Sequence, residues 1–147
     1  MERILMGVGN ELKGDDGVGN RLAREFENED WLSVPCETVP ENFTGLVKKE
    51  EPDILVLVDA ARMDLPPGGI RRLSKEELGS EGIGTHSMPL NLLLSQLEDY
   101  VGEVVVLGIQ PKEVKLEEDL SNEVREAVEE LKTILEEEKW DEIEKKD

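Results

Sequence analysis

Three short apolar runs give the clearest structural signal along this sequence. They lie at residues 4–8, 54–58 and 104–109, and each is bounded by polar or turn-forming residues. A short apolar run without alternation is typical of a strand that is buried on both faces, as in a parallel sheet. The pattern therefore predicts three central strands of a mostly parallel sheet.

Between and after these runs, apolar side chains recur at the period of a helix. Residues 17–28 show this spacing, and Asp15 or Asp16 is placed to cap the start of that helix. A second helix is predicted at 89–97. A long final helix carries one apolar stripe, formed by Leu120, Val124, Val128, Leu131 and Leu135.

Weaker signals complete the order of elements. Residues 32–39 read as a strand, and Pro35 within it favours an edge position. A short helix is predicted at 43–49, and a turn at 66–69 leads into a further edge strand at 70–73. Strands that alternate with helices predict an α/β fold: a three-layer single domain with a mostly parallel, five-stranded twisted sheet and helices on both faces.

Composition limits the classes of function and of cellular location. The formal net charge of −19 repels a polyphosphate backbone, so nucleic-acid binding is disfavoured. Part of this charge lies in a C-terminal segment from about residue 136, which we expect to be a solvated tail or the end of a helix within the single 1–147 domain. A single cysteine excludes an internal disulfide, and no signal peptide or membrane-length apolar run is present. We expect a cytoplasmic protein with no membrane insertion.

Three polar features follow predicted strands or precede predicted helices. Asp15 and Asp16 follow the first strand, Asp59 closes the strand at 54–58, and His86 precedes the helix at 89–97. Functional sites of such sheets lie outside the carboxyl ends of the strands, where two carboxylates and an imidazole suit a borderline divalent metal. Each residue also has an ordinary role available, as a helix cap, a loop acid or a solvated histidine, so spacing alone leaves this site open.

Two other kinds of chemistry fit the sequence less well. A dinucleotide site would use the glycines after the first strand, but its fingerprint needs a third glycine where Leu12 stands. Cys36 lies within a predicted strand, which favours a small buried side chain over a nucleophile. Ser87 adjoins His86 in sequence, and adjacency in sequence does not establish a catalytic pair.

Several motifs, taken together, resemble the maturation endopeptidases of nickel–iron hydrogenases. The match runs in order over about residues 3–135. It comprises GVGNELKGDDGVG at 7–19, PEN at 40–42, VDA at 58–60, PG at 67–68, THSMPL at 85–90, GEV at 102–104 and LGIQP at 107–111. Within the family, Met63 before the PG pair, the HSMPLN string and the GIQP string look most like the branch that serves formate-hydrogenlyase-type hydrogenases.

The resemblance implies an activity and a set of site residues. It implies a peptidase that removes a short C-terminal extension from a hydrogenase large-subunit precursor, after a basic residue and once nickel is in place. The residues that match the family's metal-contacting positions are Asp16, Asp59 and His86. Asp16 is then also the candidate general base toward water, in an aspartyl-type endopeptidase.

The resemblance also implies that the metal belongs to the substrate. Two acids and one histidine leave coordination positions open for ligands from the precursor, so we expect nickel carried by the substrate and no tightly bound cofactor of the enzyme. The expected partner is the nickel-loaded precursor, and the enzyme is expected to be a monomer. Two alternatives stay open at this point: a hydrolase with its own zinc at the same residues, and a non-catalytic metal-binding assembly chaperone.

Overall fold

The computed structural model of the chain describes residues 3–74, 90–116 and 119–143 and contains one five-stranded sheet. The strand order is β2-β1-β3-β5-β4, and only β4 runs antiparallel to its neighbour. The strands are β1 (Arg3–Val8), β2 (Trp31–Glu37), β3 (Ile54–Ala60), β4 (Ile70–Leu73) and β5 (Glu103–Ile109). The predicted α/β fold with a mostly parallel sheet is confirmed.

Helices cover both faces of the sheet, as predicted. They are α1 (Val18–Glu25), α2 (Thr44–Glu50), α3 (Leu90–Leu97) and α4 (Asn122–Glu137). Apolar residues of α1 and α4 share one buried cluster with one face of the sheet, and those of α2 and α3 share a second cluster with the other face. Burial of two separate apolar layers explains why the central strands are apolar on both sides.

The pleat of the central strands sends neighbouring side chains to opposite layers. Leu5 and Val56 pack with α1 and α4, whereas Ile4 and Leu55 pack with α2 and α3. All four side chains are fully buried. Because β1, β2, β3 and β5 all run in parallel, their carboxyl ends lie at the same edge of the sheet.

Helix α1 lies unusually close to the strands beneath it. A Cβ atom at Gly19 would overlap the carbonyl oxygen of Val58 and lie 2.8 Å from both the amide nitrogen and the carbonyl oxygen of Val8. Contacts this short leave no room for any side chain. Gly19 therefore allows the start of α1 to lie directly against β1 and β3.

The two strands predicted at edges are edge strands. Pro35 stands in β2, which pairs with a strand on one side only and therefore tolerates a residue without an amide hydrogen. The pairing of β1 with β2 is irregular between Gly7 and Val8, because Gly7 pairs with Pro35 and Val8 with Glu37.

The solvated tail predicted from about residue 136 is contradicted at Trp140. This side chain is only 4% exposed, and its ring meets that of Trp31 edge-to-face at 6.0 Å. The ring of Trp31 meets that of Phe26 in the same way at 5.8 Å. The large apolar surface that the Trp140 ring buries outweighs the cost of bringing the charged residues around it close to the core. The chain therefore turns back after α4, and Trp140 covers one end of the core.

Candidate active site

The predicted acids lie at the carboxyl ends of the parallel strands. Asp16 belongs to a 3₁₀ turn (Gly14–Gly17) between β1 and α1, and Asp59 is the penultimate residue of β3. Their exposed fractions are 6% and 3%, so both carboxylates are buried. Asp59 was predicted to follow its strand, but the strand continues through it to Ala60. Its carboxylate is therefore held by the rigid sheet and not by a loop.

Gly9 lies between Asp16 and Asp59. It has a φ of +138°, which an L side chain rarely adopts. A Cβ atom here would overlap the main-chain carbonyl of Asp16 and lie 3.5 Å from Oδ1 of Asp59. The turn after β1 therefore fills the space between Asp16 and Asp59, and the structure brings both to one small region.

Asp16 uses one carboxylate oxygen to hold the turn. Oδ2 accepts a hydrogen bond of 2.9 Å from the main-chain amide of Asn10. Among the residues that the structure describes, Oδ1 has no hydrogen-bond partner, and the carboxylate forms no ion pair with a lysine or arginine. A buried anion without a cation is costly, and a bound cation would offset that cost.

The prediction that Asp15 or Asp16 caps the first helix is wrong. The residue at the cap position of α1 is Gly17, and no side chain makes a capping hydrogen bond there. The 3₁₀ turn Gly14–Gly17 runs directly into α1 at Val18. Asp16 is thus not needed as a cap, and its burial requires another explanation.

Asp59 is also bonded to the main chain. Its Oδ1 accepts a hydrogen bond of 2.8 Å from the amide of Ala60, which fixes the side-chain rotamer at the end of β3. A carboxylate that is oriented by an amide is pre-organised as a ligand, because little side-chain entropy remains to be lost.

The third predicted ligand, His86, lies outside the described residues, as does Ser87. The described chain resumes at Leu90, the last residue of the THSMPL string, and α3 begins there. Within the described ranges no three His, Cys, Asp or Glu residues are grouped as a metal site, and these ranges hold only two of the three predicted ligands. The roles of Asp16, Asp59 and His86 stay predictions.

Asn20 supports the site and was missed in the sequence. It is fully buried in α1, donates a 2.6 Å hydrogen bond from Nδ2 to the carbonyl of Gly9, and accepts one of 2.7 Å at Oδ1 from the amide of Glu37. It therefore links the ends of β1 and β2. The available signal was an amide side chain among the apolar positions of the helix.

Gln110 braces the segment that follows β3. Its Oε1 accepts hydrogen bonds from the amides of Met63 at 2.6 Å and Leu65 at 3.4 Å. Its main-chain groups bond Gly68 and Gly69 at 2.8 Å each. The GIQP and PG strings of the sequence are thus partners in one loop assembly beside the site.

The glycine-rich turn does not form a phosphate cradle. The amide of Gly9 donates to the carbonyl of Glu37 at 2.8 Å and its carbonyl accepts from Asn20 at 2.6 Å, so both main-chain groups are engaged. The buried carboxylates of Asp16 and Asp59 beside it would repel a pyrophosphate. These contacts weigh against a dinucleotide site.

Cys36 is buried, as predicted, and unsuited to nucleophilic attack. Its side chain is 1% exposed, and burial raises the pKa of the thiol to about 12. Replacement of Cys36 with alanine is expected to cost about 1 kcal/mol of stability and to leave the precursor cleavage that the sequence resemblance implies within about twofold of wild type. Precursor cleavage beside a denaturant titration measures both effects, and a large loss of cleavage in a folded variant would contradict this expectation.

Comparison with known proteins identifies the family of the chain. The sequence model of the family described as hydrogenase maturation protease, HycI type, matches residues 17–138. Hydrogenase 3 maturation protease of Escherichia coli K12 is 36% identical over 133 residues, which cover 88% of this chain and 85% of that protein. No helix in the described part of the chain is both long and apolar enough to span a membrane.

Solved structures agree as well. The solution structure of the endopeptidase HycI from Escherichia coli is 34% identical, with a TM-score of 0.88 over 100% of this chain and 97% of that one. A maturation protease of Thermococcus kodakarensis KOD1 is 28% identical, with a TM-score of 0.82 over 92% and 90%. Sequence and fold thus define a protease domain. The chain belongs to the hydrogenase maturation protease family, whose members are hydrolases.

Proposed function

We propose that the chain is an endopeptidase that removes the C-terminal extension of a nickel–iron hydrogenase large-subunit precursor after nickel insertion. The nickel held by the precursor is the recognition element. The observation that carries the proposal is the pair of buried carboxylates, Asp16 and Asp59, at the carboxyl edge of the sheet. Membership of the maturation protease family supplies the reaction class and the kind of substrate.

The donor set suits a metal that arrives with its own ligands. Oδ2 of Asp16 accepts a hydrogen bond from the main-chain amide of Asn10, and Oδ1 of Asp59 accepts one from that of Ala60, so main-chain donors orient both carboxylates. With His86 as a predicted third donor, the protein would supply two hard oxygens and one imidazole nitrogen. Such a set leaves coordination positions for thiolates of the precursor, so precursor without nickel would dock poorly.

Asp16 is the proposed general base toward the attacking water. Its Oδ1 has no hydrogen-bond partner among the described residues, whereas Oδ2 is held by the amide of Asn10. One oxygen can then anchor the side chain while the other accepts a proton. Nickel docked beside Asp16 would bring the scissile carbonyl close and polarise it.

The decisive experiment compares nickel-loaded and nickel-free precursor. We expect the purified chain to shorten the loaded precursor by the mass of its extension and to leave the nickel-free precursor intact. Mass spectrometry of the precursor after incubation measures both results. Binding of loaded precursor without cleavage would favour the assembly chaperone, and cleavage of both forms would contradict recognition through nickel.

A further prediction concerns metal in the enzyme itself. The purified protein is expected to hold no stoichiometric metal, and chelation of the enzyme before the precursor is added is expected to leave its activity unchanged. The reason is that a set of three ligands, none of them a thiolate, needs substrate ligands to complete it. Elemental analysis and an activity assay measure these quantities. One zinc ion per chain, with activity lost on its removal, would favour the zinc hydrolase.

The remaining expectations are narrower. The particular hydrogenase is expected to be of the formate-hydrogenlyase type, and the enzyme is expected to be a cytoplasmic monomer. Size-exclusion chromatography coupled to light scattering measures the oligomeric state directly.

A further inference from the structure

We propose that Asp15, the neighbour of Asp16, is a positioning residue that holds the first motif against the segment between β5 and α4. This inference rests on the proposed function, because it concerns the geometry of Asp16 during cleavage. Asp15 is 1% exposed, and both oxygens of its carboxylate accept hydrogen bonds from the protein itself. Its role is therefore to act through the residue beside it.

The carboxylate of Asp15 accepts four hydrogen bonds from residues about a hundred positions away. Oδ2 accepts from the amides of Lys112 at 2.8 Å and Glu113 at 3.1 Å, and from the hydroxyl of Ser121 at 2.9 Å. Oδ1 accepts from the amide of Ser121 at 2.7 Å. Four donors around one carboxylate fix it in direction as well as in place.

The main chain of Asp15 is fixed in the same direction. Its amide donates a 2.9 Å hydrogen bond to the carbonyl of Glu113, so Asp15 meets that segment through both main chain and side chain. The amide of Asp16 in turn donates to the carbonyl of Lys13 at 3.0 Å. The peptide that carries Asp16 is thus held between two anchored points.

The hydroxyl of Ser121 bonds to Asp15 and does not cap its own helix. It occupies the cap position of α4, where a serine side chain usually accepts a hydrogen bond from an amide of the first turn. No such bond is formed, and the hydroxyl donates to Asp15 instead. A local rule broken in favour of a distant contact is typical of residues that support a functional site.

Loss of this anchor would move Asp16. A displacement of about 1 Å in a reacting group can slow a reaction by about a hundredfold. We therefore expect substitutions at Asp15 or Ser121 to lower the turnover number of the folded enzyme and to affect the KM for precursor less.

Ser121 offers the cleanest test, because its side chain caps nothing and Ser121→Ala removes the hydroxyl's hydrogen bond to Asp15 while keeping the main-chain one. Cleavage of nickel-loaded precursor is measured well below the melting temperature of each variant. We expect kcat to fall about tenfold in Ser121→Ala and to stay near wild type in Ser121→Thr, which keeps the hydroxyl. Equal kcat in the alanine and threonine variants would overturn the proposal.

Asp119→Asn is the matched control. Asp119 lies in the same segment, two residues before Ser121, and lines a surface cleft together with Asp15 and Ser121. Its carboxylate, however, forms ion pairs with Arg21 and Arg125. The kcat of Asp119→Asn is expected to match that of wild type. A loss of kcat as large as that of Ser121→Ala would overturn the proposal, because it would show that any change in this segment lowers activity.

Asp15→Asn provides the stronger perturbation. An amide cannot accept from all four donors, since its nitrogen would face an amide hydrogen or a hydroxyl. We expect a loss of kcat of about a hundredfold in the fraction that circular dichroism shows to be folded. Full kcat in that fraction would overturn the positioning role, and if no folded protein forms, Ser121→Ala decides. A wild-type chain that fails to cleave loaded precursor would instead refute the proposed function.

Discussion

Replacing Asp16 with asparagine is expected to lower the rate of precursor cleavage by at least about a hundredfold, the usual contribution of a general base. The fold should survive, because asparagine can still accept the hydrogen bond from the amide of Asn10 through its carbonyl oxygen. We expect the free energy of unfolding to change by about 1 kcal/mol or less. Cleavage of nickel-loaded precursor and a melting curve measure the two effects separately.

Asp16→Glu is the matched variant. It keeps the charge and lengthens the side chain by one methylene in a site that is 6% exposed, so we expect some loss of stability and partial activity. An active Asp16→Asn enzyme would show that Asp16 serves only to hold the turn at Asn10. Helix capping is no longer the competing explanation, because α1 begins without a side-chain cap.

Replacing Gly19 with alanine is expected to have the largest effect on stability. Its Cβ would overlap the carbonyl oxygen of Val58 and crowd the backbone of Val8 at 2.8 Å, and neither strand can yield without disrupting the sheet. We expect a loss of about 3 kcal/mol or more, at the upper end of the range for overpacking. Denaturant titration of the purified variant measures this loss, which reduced soluble yield would accompany.

Gly45→Ala is the control for this substitution. Gly45 lies in α2, and within the described residues no atom outside its chain neighbours and its own helix backbone lies within 4 Å of the position that its Cβ would take. Alanine here should raise stability by about 0.5–1 kcal/mol, because glycine is the poorer helix residue. If both alanine variants were equally stable, close packing of α1 on the sheet would not be the constraint inferred here.

The main strands were predictable from the sequence because burial on both faces leaves an unambiguous pattern. Residues 54–58 are five consecutive aliphatic residues, a run that is typical of a strand buried on both faces. They form most of β3. Pro35 and the turn before Ile70 likewise identified the edges of the sheet. The family was also predictable, since its motifs are contiguous strings.

The supporting contacts were not predictable, because they join residues that are distant in sequence. The bonds between Asp15 and Ser121 cross about a hundred positions, and no local pattern records such a pair. Local rules indicated a helix cap for Asp15 and a solvated position for Trp140, and tertiary contacts overrode both. Asn20 was the exception, because an amide side chain among the apolar residues of α1 could have indicated a buried polar contact.

The aromatic contact at the end of the core gives the molecule a built-in optical probe. The chain has two tryptophans, Trp31 and Trp140, and both lie in that one contact. Their indole fluorescence therefore reports whether the C-terminal segment is docked on β2, at the edge of the sheet, without any added label. Neither ring belongs to the acidic site, so the same signal can be compared directly between wild type and the variants at Asp16 or Ser121.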